Sequence, residues 1–178
     1  LLASGWARTS APHGMVNPVM LQDGQGLSLD LCGFVAEKGS GAALGGFWLQ
    51  GAPADWQRIT QYPTLHFQQQ QSPQGSVWSV RNPQVWLAAL YGPDWRTPDP
   101  DFDTVIAAHN LRGFAVQTQC YAYGRIYGRW LGGQLQKAAA LVSQTLRHNP
   151  ADPVLLQVQQ CLARQQASAA AAAVDEAL

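Results

Sequence analysis

Apolar and polar residues alternate from Leu27 to Cys32. Leu27, Leu29 and Leu31 take one face and Ser28, Asp30 and Cys32 the other, which is the two-residue period of a strand. Val16-Asn17-Pro18-Val19-Met20-Leu21 predicts a short strand before it. Asp23-Gly24-Gln25-Gly26 is the hairpin turn between the two, and His13-Gly14 lies in the turn-rich approach. Gly33 to Gly46 is rich in Gly, Ala and Ser and predicts a flexible connection, followed by a third short strand at Phe47-Trp48-Leu49. Residues 52–75 show no period, carry Pro53, Pro63 and Pro73, and place a glutamine run at 68–71 in what reads as an exposed loop. Val77-Trp78-Ser79-Val80 alternates as a strand and stops at Arg81-Asn82-Pro83.

Beyond Val80 the period lengthens. Pro83 suits the first turn of a helix capped by Asn82 and running to Tyr91, and Gly92-Pro93 ends it. From about Thr104 the chain reads as helical. Leu131, Leu135, Ala138, Ala139, Val142 and Leu146 recur at helical spacing, Asn149-Pro150-Ala151-Asp152-Pro153 breaks the run, and Val154 to Gln166 restarts it. A helix, this turn and a second helix resemble one unit of a tetratricopeptide-type array, but with one such unit visible an ordinary helical hairpin is the plainer reading. Ala167 to Leu178 is an alanine-rich tail, helical by propensity.

Composition narrows the classes. At 178 residues and 47% hydrophobic, with seven Trp, the chain has enough apolar mass for a core. Only 12% of residues are charged and the net charge is zero, which argues against nucleic acid or an anionic membrane as partner. Cys32, Cys120 and Cys161 are far apart and odd in number, so we expect a reducing, cytoplasmic setting. No apolar run approaches the roughly 18–20 residues that span a bilayer. Leu1-Leu2-Ala3-Ser4-Gly5 opens without methionine and is too short for a signal peptide, so we expect an internal start and a fragment.

The chemistry centres on Asp30, since a carboxylate in mid-strand is costly to bury unless a charge or metal partners it; by itself it reads first as a hydrogen-bonded structural Asp and second as a metal ligand. Phosphoryl and nucleotidyl transfer require divalent metal held by such acids. Asp99, Asp101 and Asp103 alternate like the start of a calcium loop. Thr104 stands where that loop needs Gly and Asn110 where it needs Glu, so a solvated loop with Asp103 as an N-cap is the reading. His13, His66, His109 and His148 form no zinc pattern; His13 and Arg81 could each meet a phosphate, but a turn or surface contact is the plainer reading of both. Tyr121, Tyr123, Tyr127 and Trp130, with Arg125 and Arg129, could stack a base or sugar, or pack against the rest of the domain. No nucleophile elbow, P-loop or dinucleotide fingerprint is present.

Leu29-Asp30-Leu31, then Pro63, Val80, the Asn82-Pro83 helix start, Leu87 and Tyr91-Gly92-Pro93-Asp94-Trp95-Arg96-Thr97-Pro98 resemble the LicD and fukutin family over roughly residues 14–103. That family joins a hydrophobic-Asp-hydrophobic strand, a segment ending in Pro, and a short helix ending Tyr-Gly-x-x-Trp-x-x-Pro. The resemblance implies a nucleotidyltransferase-like fold and a magnesium-dependent transfer of phosphocholine or ribitol phosphate from a CDP-linked donor to a cell-surface glycan, such as lipopolysaccharide or teichoic acid. It implies that Asp30 is the third metal carboxylate and that Tyr91, Gly92, Asp94, Trp95 and Pro98 form the signature after the helix. The family's leading Asp-rich motif is absent, so the metal site is expected to be incomplete and the fragment inactive alone.

The expected fold is therefore α+β: a small mixed sheet with short helices over 1–103, a helical region over 104–166 and a tail over 167–178. The competing expectation is a helical protein-interaction module, with the sheet as inactive scaffold.

Overall fold

The computed structural model describes residues 2–9, 18–48 and 51–175. It is α+β, with small antiparallel sheets followed by helices. His13, Gly14, Val16, Asn17 and Leu49 lie outside the described residues. The chain divides into two compact units, one of 1–96 with 109–112 and one of 97–108 with 113–178.

The first unit begins with the sheet β1 (Ala7–Arg8), β2 (Val19–Gln22) and β3 (Ser28–Leu31), in that spatial order. Asp23 makes the β2–β3 turn: its Oδ1 accepts from the Gln25 and Leu27 amides at 2.9 and 2.8 Å. A second sheet joins β4 (Val35–Ala36), β5 (Ala43–Phe47) and β6 (Arg58–Tyr62). A separate ribbon pairs β7 (Phe67–Ser72) with β8 (Gly75–Val80), and α1 (Pro83–Tyr91) follows. Its buried residues include Leu21, Ala42, Ala43, Arg58 and Thr60.

Stretches expected to be irregular are strands, including β6 and β7 within residues 52–75, where pairing with β5 and β8 supplies the order that the local pattern lacks. The Gly33–Gly46 run forms β4 and most of β5 because its glycines allow close approach rather than freedom. A Cβ at Gly45 would sit 2.8 Å from the Phe34 ring, and one at Gly46, where φ is 130°, would sit 2.0 Å from the Arg58 carbonyl oxygen. The glutamine run is β7, held by its pairing with β8 across Ser72-Pro73-Gln74-Gly75, where Gly75 has φ 116°.

His109–Arg112 returns along β6. Gln61 donates to the Asn110 carbonyl at 2.9 Å, Leu111 bridges Thr60, and the Arg112 amide donates to Ile59 O at 2.9 Å. The Arg112 guanidinium reaches Glu37 at 2.5 Å. Glu37's carboxyl is held low first by the Ser40 hydroxyl and then by Arg112.

The second unit holds α2 (Val116–Leu131), α3 (Leu135–Leu146) and α4 (Pro153–Asp175). The helix expected from Thr104 starts at Val116 instead. Asp103 caps only one turn, accepting from the Val105 and Ile106 amides at 2.9 and 3.2 Å. Leu131 and Leu135, expected on one helix, fall on two, because Gly132-Gly133 interrupts the run and Gly133 has φ 71°. The alanine-rich tail continues α4 as far as Asp175.

Ala122 and Ile126 on α2, Ala138, Leu141 and Val142 on α3, and Leu155 and Leu162 on α4 are buried together with Val105–Ala108. Their i, i+4 and i+7 spacings put one stripe of each helix inward. No helix among the described residues is long and apolar enough to cross a membrane.

Candidate functional site

Asp30 lies near the end of β3, opposite Met20 on β2. β3 is the outer strand of its sheet among the described strands, and all its residues are exposed. The ion pairs among the described residues are Arg112–Glu37 and Arg125–Asp103, so Asp30 is not neutralised by a buried arginine. Its charge is felt by Cys32, whose thiol is pushed up by desolvation first and by the Asp30 carboxylate second.

A magnesium ion needs several oxygen ligands in near-octahedral array. Among the described residues no three His, Cys, Asp or Glu side chains gather to hold a cation. Asp30 and its surroundings therefore do not by themselves fit the metal.

The residues that follow in the same pattern do converge. Pro63 directly follows β6, Val80 ends β8, and Asn82 precedes α1; with Thr64, His66, Val85 and Trp86 they line one hollow of about 240 Å³. The Arg81 amide donates to the His66 carbonyl at 2.8 Å, extending the ribbon and fixing His66 beside Asn82. Asn82 does not spend its side chain on capping α1. Behind the hollow Trp86 stacks on Tyr62, with centroids 4.3 Å apart and planes 12° apart, and Phe34 meets both edge-on. The Trp86 indole nitrogen is buried without a hydrogen-bond partner. Burying such a donor unpaired costs about 1–3 kcal/mol.

The Tyr-Gly-x-x-Trp segment has a structural reason for its glycine. Gly92 is buried at φ 90° and ψ −178°, a conformation essentially restricted to glycine, and its amide donates to Ala88 O to end α1. The His109 ring lies over it, 2.7 Å from where a Cβ would stand, while the His109 amide donates to Leu90 O at 3.0 Å. Trp95 is half-buried with the Arg96 guanidinium 4.2 Å above its ring, whereas Tyr91 and Asp94 are exposed. Pro98 falls in the second unit.

Gly92→Ala is therefore expected to destabilise the first unit by about 2 kcal/mol, from backbone strain and displacement of the His109 ring. Urea unfolding followed by tryptophan fluorescence measures it, and His109→Ala in the same background should recover the portion due to the ring. A loss under about 0.5 kcal/mol, the scale of a neutral surface change, would contradict this account.

Most other sequence candidates serve turns and packing. Asp99 accepts from the Asp101 amide, and Asp103 pairs with Arg125, so these acids build turns. Tyr123 donates to Asp152 at 2.5 Å and Trp130 to Gln165 at 2.8 Å, while Tyr121 and Tyr127 are exposed. His148 stacks on Phe114. Arg125 and Arg129 line a concavity of about 450 Å³ with Asp103 and Gln134, and each already has one of those two as partner. The sequence gives no sign that Phe34, Tyr62, Trp86 and His66 are neighbours; of their surroundings, Pro63, Val80 and the Asn82-Pro83 helix start are the readable signals. Comparison of the chain with protein families, curated proteins and solved structures finds no match.

Proposed function

We propose that the first unit is part of a transferase of the LicD and fukutin type, which moves a phospho-alcohol group from a CDP-linked donor to a cell-surface glycan. One observation carries this reading. Pro63, Val80 and Asn82, which the resemblance takes in order along the chain, surround a single hollow walled by Trp86. The Arg81–His66 bond at the foot of the ribbon draws these segments together, and a concavity shared by three members of the pattern supports the reading. Gly92 adds support, because the signature's glycine is also the residue that the backbone demands there.

On this reading Asp30 is one carboxylate of a magnesium site. The setting is cytoplasmic, where Cys32, Cys120 and Cys161 stay as free thiols. A second reading, docking of a protein partner by the helices, is favoured by Tyr127 and Leu131, which lie one turn apart on α2 and are 63% and 70% exposed.

The test is magnesium-dependent turnover of CDP-choline or CDP-ribitol by the protein at its full natural length, with Asp30→Asn alongside. We expect that substitution to lower turnover on the order of a hundredfold or more, as when one strong electrostatic contributor is removed. The unfolding midpoint should not move, because Asp30 is exposed and outside the ion pairs of its unit. Full turnover by the variant would exclude the carboxylate role, and absence of transfer by the parent protein would sink the reading.

A further inference from the structure

We infer that the aromatic face of the β7–β8 ribbon, with the hollow it leads into, binds an uncharged saccharide chain. Antiparallel register places Phe67 opposite Val80, Gln69 opposite Trp78 and Gln71 opposite Ser76, and directly opposed residues share a face. That face therefore reads Phe67 and Val80, then Gln69 and Trp78, then Gln71 and Ser76. Trp78 is 70% exposed and Phe67 58%. They are diagonal neighbours across the ribbon, roughly 7–8 Å apart. Two large aromatics held in water by a regular hydrogen-bonded ladder mark a surface that meets something.

The chemistry between the rings says what. Residues 67–80 contain no Asp, Glu, Lys, Arg or His, and the nearest cation along the chain is Arg81. A polyanion would find no counter-charge on the ribbon. An apolar protein surface would bury the Gln69 and Gln71 amides with nothing to bond, at the cost of desolvating each. Sugar hydroxyls both donate and accept, as the amides do, and the flat C–H face of a pyranose ring suits an aromatic ring.

The face is also continuous with the hollow. Val80 belongs to both, and His66, immediately before Phe67, lines the hollow with Thr64 and Asn82. At about 240 Å³ that hollow is below the range of drug-sized sites, so it takes one ring rather than a whole nucleotide-linked donor. A chain lying over Trp78 and Phe67 would thus deliver its terminal sugar between His66 and Asn82. That this sugar is the acceptor rests on the transferase reading; the binding itself does not.

The test is titration calorimetry of the full chain with cellohexaose, maltohexaose, laminarihexaose and N-acetylchitohexaose, with polygalacturonate as the charged comparison. At least one uncharged series should bind, more tightly as it lengthens from disaccharide to hexasaccharide. Trp78→Ala and Phe67→Ala should each weaken it by about tenfold, the loss of one partly buried aromatic contact. Trp78→Tyr should retain most of the affinity, and Gln70→Ala, on the other face, should change it by less than about twofold. Because both rings are mostly exposed, the variants should melt with the parent protein, which circular dichroism checks.

Failure of every uncharged oligosaccharide to bind, equal binding of polygalacturonate, or binding indifferent to Trp78 and Phe67 overturns the inference. Saccharide binding without any CDP-donor turnover would leave it standing and remove only the transferase reading.

Discussion

Gly46→Ala is expected to cost on the order of 4 kcal/mol or more and to unravel the β4–β5–β6 sheet. Gly46 sits at φ 130° opposite Ile59, and an added Cβ would lie 2.0 Å from the Arg58 carbonyl oxygen. That oxygen is backbone, so it cannot swing aside as a side chain could; either the β5–β6 pairing opens or the strand shifts. Dihedral strain accounts for about 1–3 kcal/mol and the clash for the remainder. Gly39 separates the two contributions, since it has φ 96° but open space around it. Gly39→Ala should therefore show the strain alone. Denaturant unfolding read by near-ultraviolet circular dichroism of the Tyr62–Trp86 stack would report both, and equal losses for the two variants would refute the steric account.

Asp152→Ala is expected to destabilise the helical unit by about 3 kcal/mol, as expected when one partner leaves a buried network. Its carboxylate is almost fully buried and joins two elements. Oδ1 accepts the Val154 and Leu155 amides at the start of α4, and Oδ2 accepts from the Tyr123 hydroxyl, Gln119 and Asn149. Removing it uncaps α4 and strands donors on α2 at once.

Tyr123→Phe removes one donor and should cost about 1 kcal/mol. Burial pushes the Asp152 carboxyl up, but the hydrogen bonds from Tyr123, Leu155, Val154 and Gln119 outweigh it and leave it below the ordinary carboxylate range. A group lowered on folding stabilises above its unfolded value and loses that contribution as pH falls through the native one. Thermal melts should thus show the helices weakening on the acid side of that range, and Asp152→Asn should flatten the slope. An unchanged acid-side slope in that variant would rule out Asp152 as its source.

The parts of this fold that were legible in the sequence are those with local punctuation. Asn82-Pro83 and Gly92 mark both ends of α1, Asp23 marks the β2–β3 turn, and Asn149 to Pro153 marks the break before α4. What escaped was set by partners distant along the chain. Gly45 and Gly46 read as flexibility, yet Phe34 and Arg58 make them points of close contact within a strand. The glutamines of β7 have weak strand propensity and take their form from β8. Asp103 reads as the cap of a long helix but closes one turn before the chain leaves to run along β6.

The hollow divided in the same way. Pro63, Val80 and Asn82 were noted as members of an ordered pattern, but their meeting, and the Tyr62, Trp86 and His66 around them, depend on three segments converging without any common spacing.

β3, outermost of its sheet among the described strands, presents Leu29 and Leu31 to solvent with Leu27 just before it, and Asp30 is the one formal charge among them. Strand edges of this kind invite pairing with another chain, and a charge in the middle is the usual deterrent. An exposed carboxylate at that position sets a charge where a further strand would have to pair, so Asp30→Leu is expected to raise self-association, which light scattering measures.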